Sequence, residues 1–347
     1  MPAETLNTSV HSEAFTYDGG RVDPGERQQL RYTVSQTYLG DPVRIPVTVI
    51  NGVDPGPTVF LSAASHGNEL NGIEVVRRVA NEWDLSDLAG TLVCLPILNV
   101  PAFIAQQRYF PGSGRDLNRS FPGDPESTAV KRMADRIFRN FLAPCAFGLD
   151  FHTSTRGRTN MLHARADMDD DAVARLAKAF ASNLIISTPG SSGMLRCEAS
   201  DEGTPTVTIE MGEAHRFEGE YIDRALAGVE SVLAEYEMLP QTDVAWPGWR
   251  TVVTGDHERT WLRADAGGIV DMHADLGALV RAGETVATIS NPFANERSFV
   301  EAPFTGLLVG SLENPIVYPG NPVCHLTELE AGTTRVVAAR QGVDLDG

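Results

Sequence analysis

The sequence predicts an α/β fold with a mixed, largely parallel central sheet flanked by helices, followed by a small C-terminal all-β domain. Short apolar runs alternate with helical patterns between residues 57 and 238, which is typical of a parallel sheet with crossover helices. Residues 239–248 are linker-like and contain Pro240 and Pro247. Beyond them, short apolar runs lie between Gly and Pro, a pattern that favours a small β-barrel or β-sandwich.

The N-terminal part of the chain, up to residue 57, leads into the first buried strand of the predicted parallel sheet. Residues 1–29 are polar and lack a clear period, so we expect an irregular arm there. Residues 30–50 alternate in part between apolar and polar and predict two strands around the turn Leu39-Gly-Asp-Pro42. The dense Gly and Pro signal of residues 51–57 then leads into an apolar strand at residues 57–61.

Helices and strands alternate from there to residue 238. Ile73, Val76 and Val79 have helical spacing and predict a helix over residues 73–83. Further helices are expected at residues 130–141, 169–184 and 222–238, with one helical turn at residues 103–108. Strands are expected at residues 91–97, 147–151, 184–186 and 206–209. Together they define a domain of residues 30–240.

The C-terminal domain is expected to span residues 249–330, with a tail at residues 331–347. Strands are predicted at residues 261–263, 268–270, 285–289, 299–301 and 306–309. Residues 279–284 and 302–308 resemble the repeat of barrel-sandwich modules of the biotinyl/lipoyl type. Those modules need a lysine for attachment, and none follows Lys178. The domain is therefore not expected to carry a swinging cofactor.

Composition excludes several classes of function. A net charge of −18 and a pI of about 4.8 disfavour binding to nucleic acid or to anionic membranes. The sequence has no apolar run of membrane-spanning length and no positively charged, apolar leader. Four cysteines are scattered without a metal-binding or disulfide pattern, so a reducing cytoplasm is the expected location. The oligomeric state is left open, a homo-oligomer included.

Two segments carry residues that could hold a metal ion. His66 and Glu69 lie between the strand of residues 57–61 and the helix of residues 73–83, where ligands bind in open α/β sheets. His152 follows the strand of residues 147–151 in the same way. Two histidines and one glutamate, with one position left for water, are typical of catalytic zinc sites. Each segment alone is more often structural, and only their combination favours a metal site.

Four motifs occur in order and carry a resemblance to a known family. They are His66-Gly-Asn-Glu69, Arg115-Asp-Leu-Asn-Arg-Ser-Phe-Pro-Gly123, Asp150-Phe-His152 and Thr208-Ile-Glu-Met-Gly212. The chain resembles the succinylglutamate desuccinylase/aspartoacylase family, a branch of the zinc carboxypeptidase-like hydrolases, from about residue 47 to residue 326. The resemblance implies a zinc-carboxypeptidase-like fold in the domain of residues 30–240. It also implies that the C-terminal domain partly covers the mouth of the site.

The resemblance further implies a role for each motif residue. One zinc ion per chain would be held by His66, Glu69 and His152, and would lower the pKa of its bound water to about 7. Glu210 matches the catalytic glutamate that moves protons. Arg108 would polarise the scissile carbonyl, with Arg115 as its substitute. Asn118 and Arg119 would clamp a substrate carboxylate, and Tyr318 could reach the substrate.

The expected function is a zinc-dependent amidohydrolase that cleaves an N-acyl amino acid or a similar small acylated amine. Two alternatives stay open on the sequence. A zinc carboxypeptidase acting on peptides would use the same metal and the same glutamate. A metal-binding or regulatory module without catalysis belongs to a different class, and the presence of all three metal ligands and the base disfavours it.

Overall fold

A computed structural model describes residues 13–240 and 243–345 of the chain. The helices are α1 (Asn71–Glu82), α2 (Val100–Ile104), α3 (Ala129–Ile137), α4 (Asp171–Ala179), α5 (Leu195–Asp201), α6 (Gly219–Glu235) and α7 (Ala331–Gln341). The strands are β1 (Phe15–Tyr17), β2 (Gly20–Val22), β3 (Arg27–Gln36), β4 (Pro42–Asn51), β5 (Asp54–Ala63), β6 (Ala89–Leu95), β7 (Phe147–Ser154), β8 (Arg158–Ala166), β9 (Leu184–Ser187), β10 (Thr206–Glu213), β11 (Thr251–Val253), β12 (Arg259–Arg263), β13 (Gly268–Met272), β14 (Leu279–Val280), β15 (Thr285–Ser290), β16 (Arg297–Glu301), β17 (Gly306–Leu312), β18 (Ile316–Val317) and β19 (Pro322–Thr327). A short 3₁₀ helix at Leu117–Arg119 and a π-helical turn at Phe138–Leu142 complete the set.

A large mixed sheet forms the centre of the molecule, so the predicted α/β class is confirmed. Its main path runs β12-β19-β17-β8-β10-β7-β5-β6-β4-β3. The middle of this path is parallel, since β10 pairs with β7, β7 with β5, and β5 with β6 in the same direction. Parallel strands end at one edge of a sheet, which brings the loops after β5 and β7 together.

Apolar side chains cover both faces of this sheet because residues alternate along each strand. Val59 and Leu61 of β5 belong to one buried cluster, which also includes residues of α1, α4 and α6. Phe60, between them, belongs to a second cluster with residues of α3 and of the turn that follows it. Helices therefore pack on both sides of the sheet, as the alternating sequence pattern predicts.

The C-terminal β-strands continue the central sheet. β17 pairs antiparallel with β8, and β11 pairs parallel with β9. A separate four-stranded sheet, β16-β15-β13-β18, packs around its own apolar core. The predicted all-β C-terminal domain is therefore present, its own strands pair antiparallel, and backbone hydrogen bonds join it to the α/β part.

The structure corrects the predictions made for the two ends. The expected irregular arm of residues 1–29 contains β1, β2 and the start of β3, and Phe15 and Val22 are buried; residues 1–12 lie outside the described residues. The expected tail of residues 331–347 contains α7, which buries Val337 and Ala338. Apolar contacts explain both differences, because these segments cover core that would otherwise face water.

Several interior elements also differ from the prediction. β8 and α5 are absent from the sequence prediction, and the expected helical turn at residues 103–108 lies earlier, at Val100–Ile104. Asn99 caps the N-terminus of α2, because its side chain accepts a hydrogen bond from the backbone N–H of Ala102 and so fixes the helix start. Within the described residues, no helix combines the length and the hydropathy that a membrane crossing requires.

Candidate metal centre

The loop between β5 and α1 holds His66 and Glu69 in a fixed position. The Glu69 backbone N–H donates to the carbonyl of His66 at 3.2 Å, which closes a tight turn. The side-chain amide of Asn99 donates to the carbonyl of Ser65 at 3.1 Å. Gly67 packs so closely on α2 that an added Cβ would lie 2.1 Å from the carbonyl carbon of Ala102. A glycine is therefore required at this position for the loop to lie against α2.

The structure brings His66, Glu69 and His152 together. One ligand atom from each residue lies within 4.8 Å of the other two, and all three residues are buried. His66 Nδ1 is 2.9 Å from Glu69 Oε1, and His152 Nδ1 is 2.9 Å from Glu69 Oε2. Both imidazoles therefore present Nδ1 toward the same carboxylate.

Two further carboxylates orient the imidazoles from behind. Asp116 Oδ1 lies 3.1 Å from His66 Nε2, and Asp150 Oδ2 lies 2.7 Å from His152 Nε2. The Ser62 hydroxyl donates to Asp150 Oδ1 at 2.8 Å and fixes that carboxylate in turn. Carboxylates behind histidine ligands hold the ring orientation and raise ligand basicity in metal sites.

The cluster of carboxylates and imidazoles favours positive charge at its centre. Burial opposes the charged form of His152, but Asp150 and Glu69 outweigh burial and raise the pKa of His152 well above its ordinary value. Burial also opposes charge on His66, yet Glu69 and Asp116 raise the pKa of His66. Burial disfavours ionised Glu69, but His66 and His152 hold the pKa of Glu69 well below its ordinary value.

These donors fit a divalent cation. His66 Nδ1 is buried and has no partner in hydrogen-bond geometry, although Glu69 is close. A buried polar atom without a hydrogen bond is costly, and a cation between His66, Glu69 and His152 would satisfy it. Two imidazole nitrogens and one carboxylate are a donor set that zinc accepts.

Of the two arginines considered for the oxyanion, the structure places Arg108 at the centre. Its guanidinium donates to Glu69 Oε1 and lies over the ring of Tyr109, 5.7 Å from the ring centroid. The side chain of Arg108 is about one quarter exposed, at 26%. Arg115 is exposed on the loop that follows. Of these two arginines, Arg108 is therefore the one that contacts the cluster of His66, Glu69 and His152.

Asn118 and Arg119 lie on the 3₁₀ helix beside the centre. Asn118 is buried, and its side-chain amide nitrogen is 3.5 Å from His152 Nε2. Its side-chain oxygen accepts the backbone N–H of Leu195 at 2.8 Å, which ties α5 to the site. Arg119 is exposed and donates to the carbonyl of Asn118 at 2.6 Å. Of these two predicted substrate residues, Asn118 thus faces the centre, and Arg119 faces solvent beside it.

Glu210 is a cross-strand neighbour of His152, because β10 and β7 pair these two residues in parallel register. Directly paired residues point to the same face of a sheet. The side-chain amide of Asn160 donates to Glu210 Oε2 at 3.2 Å, and Arg165 Nε lies 3.4 Å from Glu210 Oε1. Two side chains of β8 therefore hold the carboxylate of Glu210 on the face that carries His152.

Four residues at the site were assigned no such role from the sequence. Asp150 precedes His152 by two positions, so strand alternation could have placed both on one face. Asp116 lies within the second motif, and its contact with His66 joins segments that are 50 positions apart. Asn160 lies on β8, which was not predicted. Arg196 is buried, follows Leu195, whose backbone N–H donates to Asn118, and itself donates to the carbonyl of Pro189 at 3.4 Å.

Tyr318 lies on the C-terminal domain next to β18, and 79% of its surface is exposed. Its backbone N–H donates to the side-chain oxygen of Asn321 at 2.9 Å. The contacts of Tyr318 thus lie within its own turn, and they lend no support to the suggestion that it reaches a substrate.

A mixed α/β sheet that carries two buried histidines and a glutamate at its strand ends is typical of metal-dependent hydrolases. Residues 55–236 match the family model of the succinylglutamate desuccinylase/aspartoacylase catalytic domain. The chain belongs to this family, which confirms the resemblance carried by the four motifs. One similar protein is N-alpha-acetyl-L-2,4-diaminobutyric acid deacetylase of Halomonas elongata, 26% identical over 263 aligned residues; the match covers 71% of this chain and 74% of that protein.

Solved structures agree with this assignment. The product-bound structure of the ectoine utilization protein EutE (DoeB) from Ruegeria pomeroyi has a TM-score of 0.78 at 25% identity, covering 88% of this chain and 96% of that chain. A succinylglutamate desuccinylase from Silicibacter sp. TM1040 has a TM-score of 0.76 at 26% identity, covering 88% and 95%. The fold described above is therefore that of the family across both its α/β part and its C-terminal β domain.

Proposed function

We propose that this protein is a zinc-dependent deacylase that hydrolyses an N-acyl amino acid or a similar small acylated amine, with one zinc ion per chain. The observation that carries the proposal is the convergence of His66, Glu69 and His152 within 4.8 Å. Relatives named as a deacetylase and a desuccinylase support the reaction class. A cation held by these three residues would supply Lewis acidity toward water and the acyl carbonyl.

Glu210 is proposed as the group that moves protons. Its carboxylate can accept a proton from the attacking water and return it to the amine nitrogen as the amide bond breaks. Asn160 and Arg165 restrict the rotation of this carboxylate through their contacts with its two oxygens. The base is therefore held in one orientation before the substrate arrives, which reduces the cost of reorganisation.

Arg108, Asn118 and Arg119 are proposed to bind the substrate. Arg108 can donate to the oxygen of the acyl carbonyl, where negative charge develops during attack. Arg119 offers a planar guanidinium to a substrate carboxylate, and the amide of Asn118 can add a donor. Arg119 is exposed and donates to the carbonyl of Asn118, which keeps its guanidinium beside the centre.

The test combines metal analysis with a panel of substrates. Purified protein should contain one equivalent of divalent metal, and a chelator should abolish activity that zinc then restores. His152→Ala should lose the metal, whereas Glu210→Gln should keep it and lose about 10²- to 10⁴-fold in kcat. N-acetyl and N-succinyl amino acids should be cleaved. Cleavage of peptides alone would instead favour a carboxypeptidase, and near-normal turnover by Glu210→Gln would rule out the proposed base.

A further inference from the structure

We propose that His215, in the loop between β10 and α6, is a positioning residue for the deacylase reaction. It holds Asn68, and through Asn68 it fixes the loop that carries His66 and Glu69. This loop is thereby kept at a fixed distance from Glu210, the proposed base on β10. The inference rests on the proposed function, since it assigns a role at the same site.

Asn68 lies between the two proposed metal ligands of its loop and is tied to His215 by two contacts. Its backbone carbonyl accepts the backbone N–H of His215 at 2.8 Å. Its side-chain amide nitrogen donates to Nε2 of His215 at 3.2 Å. Asn68 is buried, with 6% of its surface exposed. The main chain and the side chain of Asn68 are therefore both restrained by one residue that lies 147 positions away in the sequence.

The side chain of Asn68 depends on His215 for its orientation. Its oxygen Oδ1 is buried and has no hydrogen-bond partner among the described residues. Within residues 13–240 and 243–345, the contact with His215 is the only hydrogen bond of this side chain. Removal of the imidazole would leave the buried amide without any hydrogen bond, which is costly. We therefore expect Asn68, and the loop with it, to move when the imidazole is removed.

His215 has a strained backbone conformation at this contact. Its φ is 66°, in the left-handed region that is unfavourable for a residue with a Cβ. Such conformations persist where the surrounding contacts hold them, and they concentrate at functional sites. His215 is exposed, so burial of its ring does not account for the strain. The contacts that accompany the strained conformation are the two with Asn68.

The strand that carries Glu210 leaves its regular pairing just beyond this residue. Glu210 is opposite His152 of β7, and Glu213 is opposite Ser154. Three positions along β10 therefore correspond to two along β7, which is a bulge in β10. The regular ladder is interrupted directly after the proposed base, so side-chain contacts must hold the segment that follows.

Asn71 provides a second connection between the same two segments. It is buried, and its side-chain amide nitrogen donates to the carbonyl of Met211 at 3.2 Å and to Glu218 Oε2 at 2.8 Å. The backbone N–H of Glu218 donates in turn to Asn71 Oδ1 at 2.9 Å. Asn71 thus joins the start of α1 to the segment directly after Glu210. His215 adds the connection to the metal-binding loop itself.

Proton transfer explains why this distance matters. Glu210 must accept a proton from the attacking water at hydrogen-bond distance, while that water lies beside the loop of residues 66–69. A misplacement of about 1 Å between groups that act on one substrate can cost about 10²-fold in rate. In the part of the chain that the structure describes, His215 forms no hydrogen bond or ion pair with His66, Glu69 or His152. Its effect is therefore on position and not on the chemical step itself.

His215→Gly separates an effect on position from an effect on stability. It removes the imidazole and relieves the backbone strain, because glycine adopts a positive φ without a Cβ. We expect kcat on the best N-acyl amino acid of the panel to fall by about 10- to 100-fold, with KM within about twofold. The melting temperature should be no lower than that of wild type. A residue with a purely structural role would not lose kcat while the melting temperature is preserved.

Glu237→Gly is the matched control, since Glu237 is exposed and has a φ of 55° at the end of α6. It relieves the same kind of strain away from the site and should leave kcat within about twofold of wild type. A double-mutant cycle tests the route through Asn68. Asn68→Ala should lower kcat, and the double variant with His215→Gly should lose no more than the larger of the two single losses. Losses that multiply would overturn the route through Asn68.

Zinc release gives a readout without turnover. His215→Gly loosens the loop that carries two of the three proposed ligands, so it should release zinc to a chromophoric chelator about tenfold faster than wild type. Glu237→Gly should match wild type. If His215→Gly keeps both zinc release and kcat within about twofold of wild type, the positioning role is overturned. Faster release from His215→Gly, with no turnover of any N-acyl amino acid by the wild-type protein, would overturn the deacylase proposal alone.

Discussion

Asp150 Oδ2 lies 2.7 Å from Nε2 of His152, and the two residues are separated by one position on β7. Both side chains are buried, and the contact leaves Nδ1 of the imidazole facing Glu69. The orientation of a predicted metal ligand is therefore set by its own strand. Because a strand places residues i and i+2 on the same face, this contact does not depend on any loop.

Replacing Asp150 should weaken metal binding without removing a metal ligand. Asp150→Asn keeps the shape of the side chain and an oxygen that can accept from Ser62, but loses the charge that supports His152. We expect the affinity for zinc to fall by about 10- to 100-fold. Competition with a chromophoric chelator measures it. Asp171→Asn, on the exposed first turn of α4, is the control, and equal affinities in the two variants would contradict the role of Asp150.

Substitution of the two candidate arginines should have clearly different effects on kcat. Arg108→Gln removes the guanidinium beside Glu69, and we expect kcat to fall by about 10²- to 10³-fold, as for the loss of one oxyanion donor. Arg115→Gln changes an exposed side chain and should leave kcat within about twofold. Metal content should be measured in both variants, since Arg108 also contacts Glu69. A larger loss from Arg115→Gln would reverse the assignment.

Asn160 should act through Glu210. Asn160→Ala removes the donor to Glu210 Oε2, which frees the carboxylate to rotate. A misplaced general base loses part of its contribution to the rate, so we expect kcat to fall by about tenfold, with KM within about twofold. Asn160→Asp places a second negative charge beside Glu210 and should move the acidic limb of the pH–rate profile upward. A KM effect without a kcat effect would assign Asn160 to substrate binding instead.

His163 should make the folded protein sensitive to acid. Burial, together with the charge of Arg165, lowers the pKa of His163 to about 3 in the folded state, against an ordinary value of about 6.5 when unfolded. Between these values only the unfolded chain binds the proton, so the stability contributed by neutral His163 is full above about pH 6.5 and falls as the pH decreases toward 3.

The measurement is the free energy of unfolding by urea at pH 7, 6 and 5 for wild type and His163→Gln. The difference in slope should approach about 1.4 kcal/mol per pH unit below the unfolded pKa, with wild type the steeper. Comparing the two proteins cancels the contribution of the carboxylates, which titrate in the same range. Identical slopes would mean that His163 can be protonated within the folded state.

The sequence predicts the ligands of the centre better than the contacts that support them. His66, Glu69 and His152 follow predicted strands, and the parallel arrangement of those strands brings them together. Asp116 reaches His66 from a loop 50 positions away, and no local pattern encodes that approach. Arg108 is separated from Glu69 by 39 positions, so motif spacing alone could not decide between it and Arg115.

Each element that the sequence analysis did not predict lacks the pattern by which such an element is recognised. β8 contains a bulge, which breaks the alternation by which strands are recognised. α5 is 7 residues long, and its N-cap residue, Met194, forms no side-chain cap, so the helix lacks the usual start signal. α7 has neighbouring apolar residues in place of a helical period, although Gly342, with φ of 68°, ends it in the left-handed conformation that glycine favours.

The pairing of β17 with β8 constrains how the two parts of the molecule can move. Breaking this pairing would expose backbone groups of both strands, at a considerable cost in free energy. β8 also carries Asn160 and Arg165, which contact Glu210. A displacement of the C-terminal domain would therefore disturb the strand that positions Glu210.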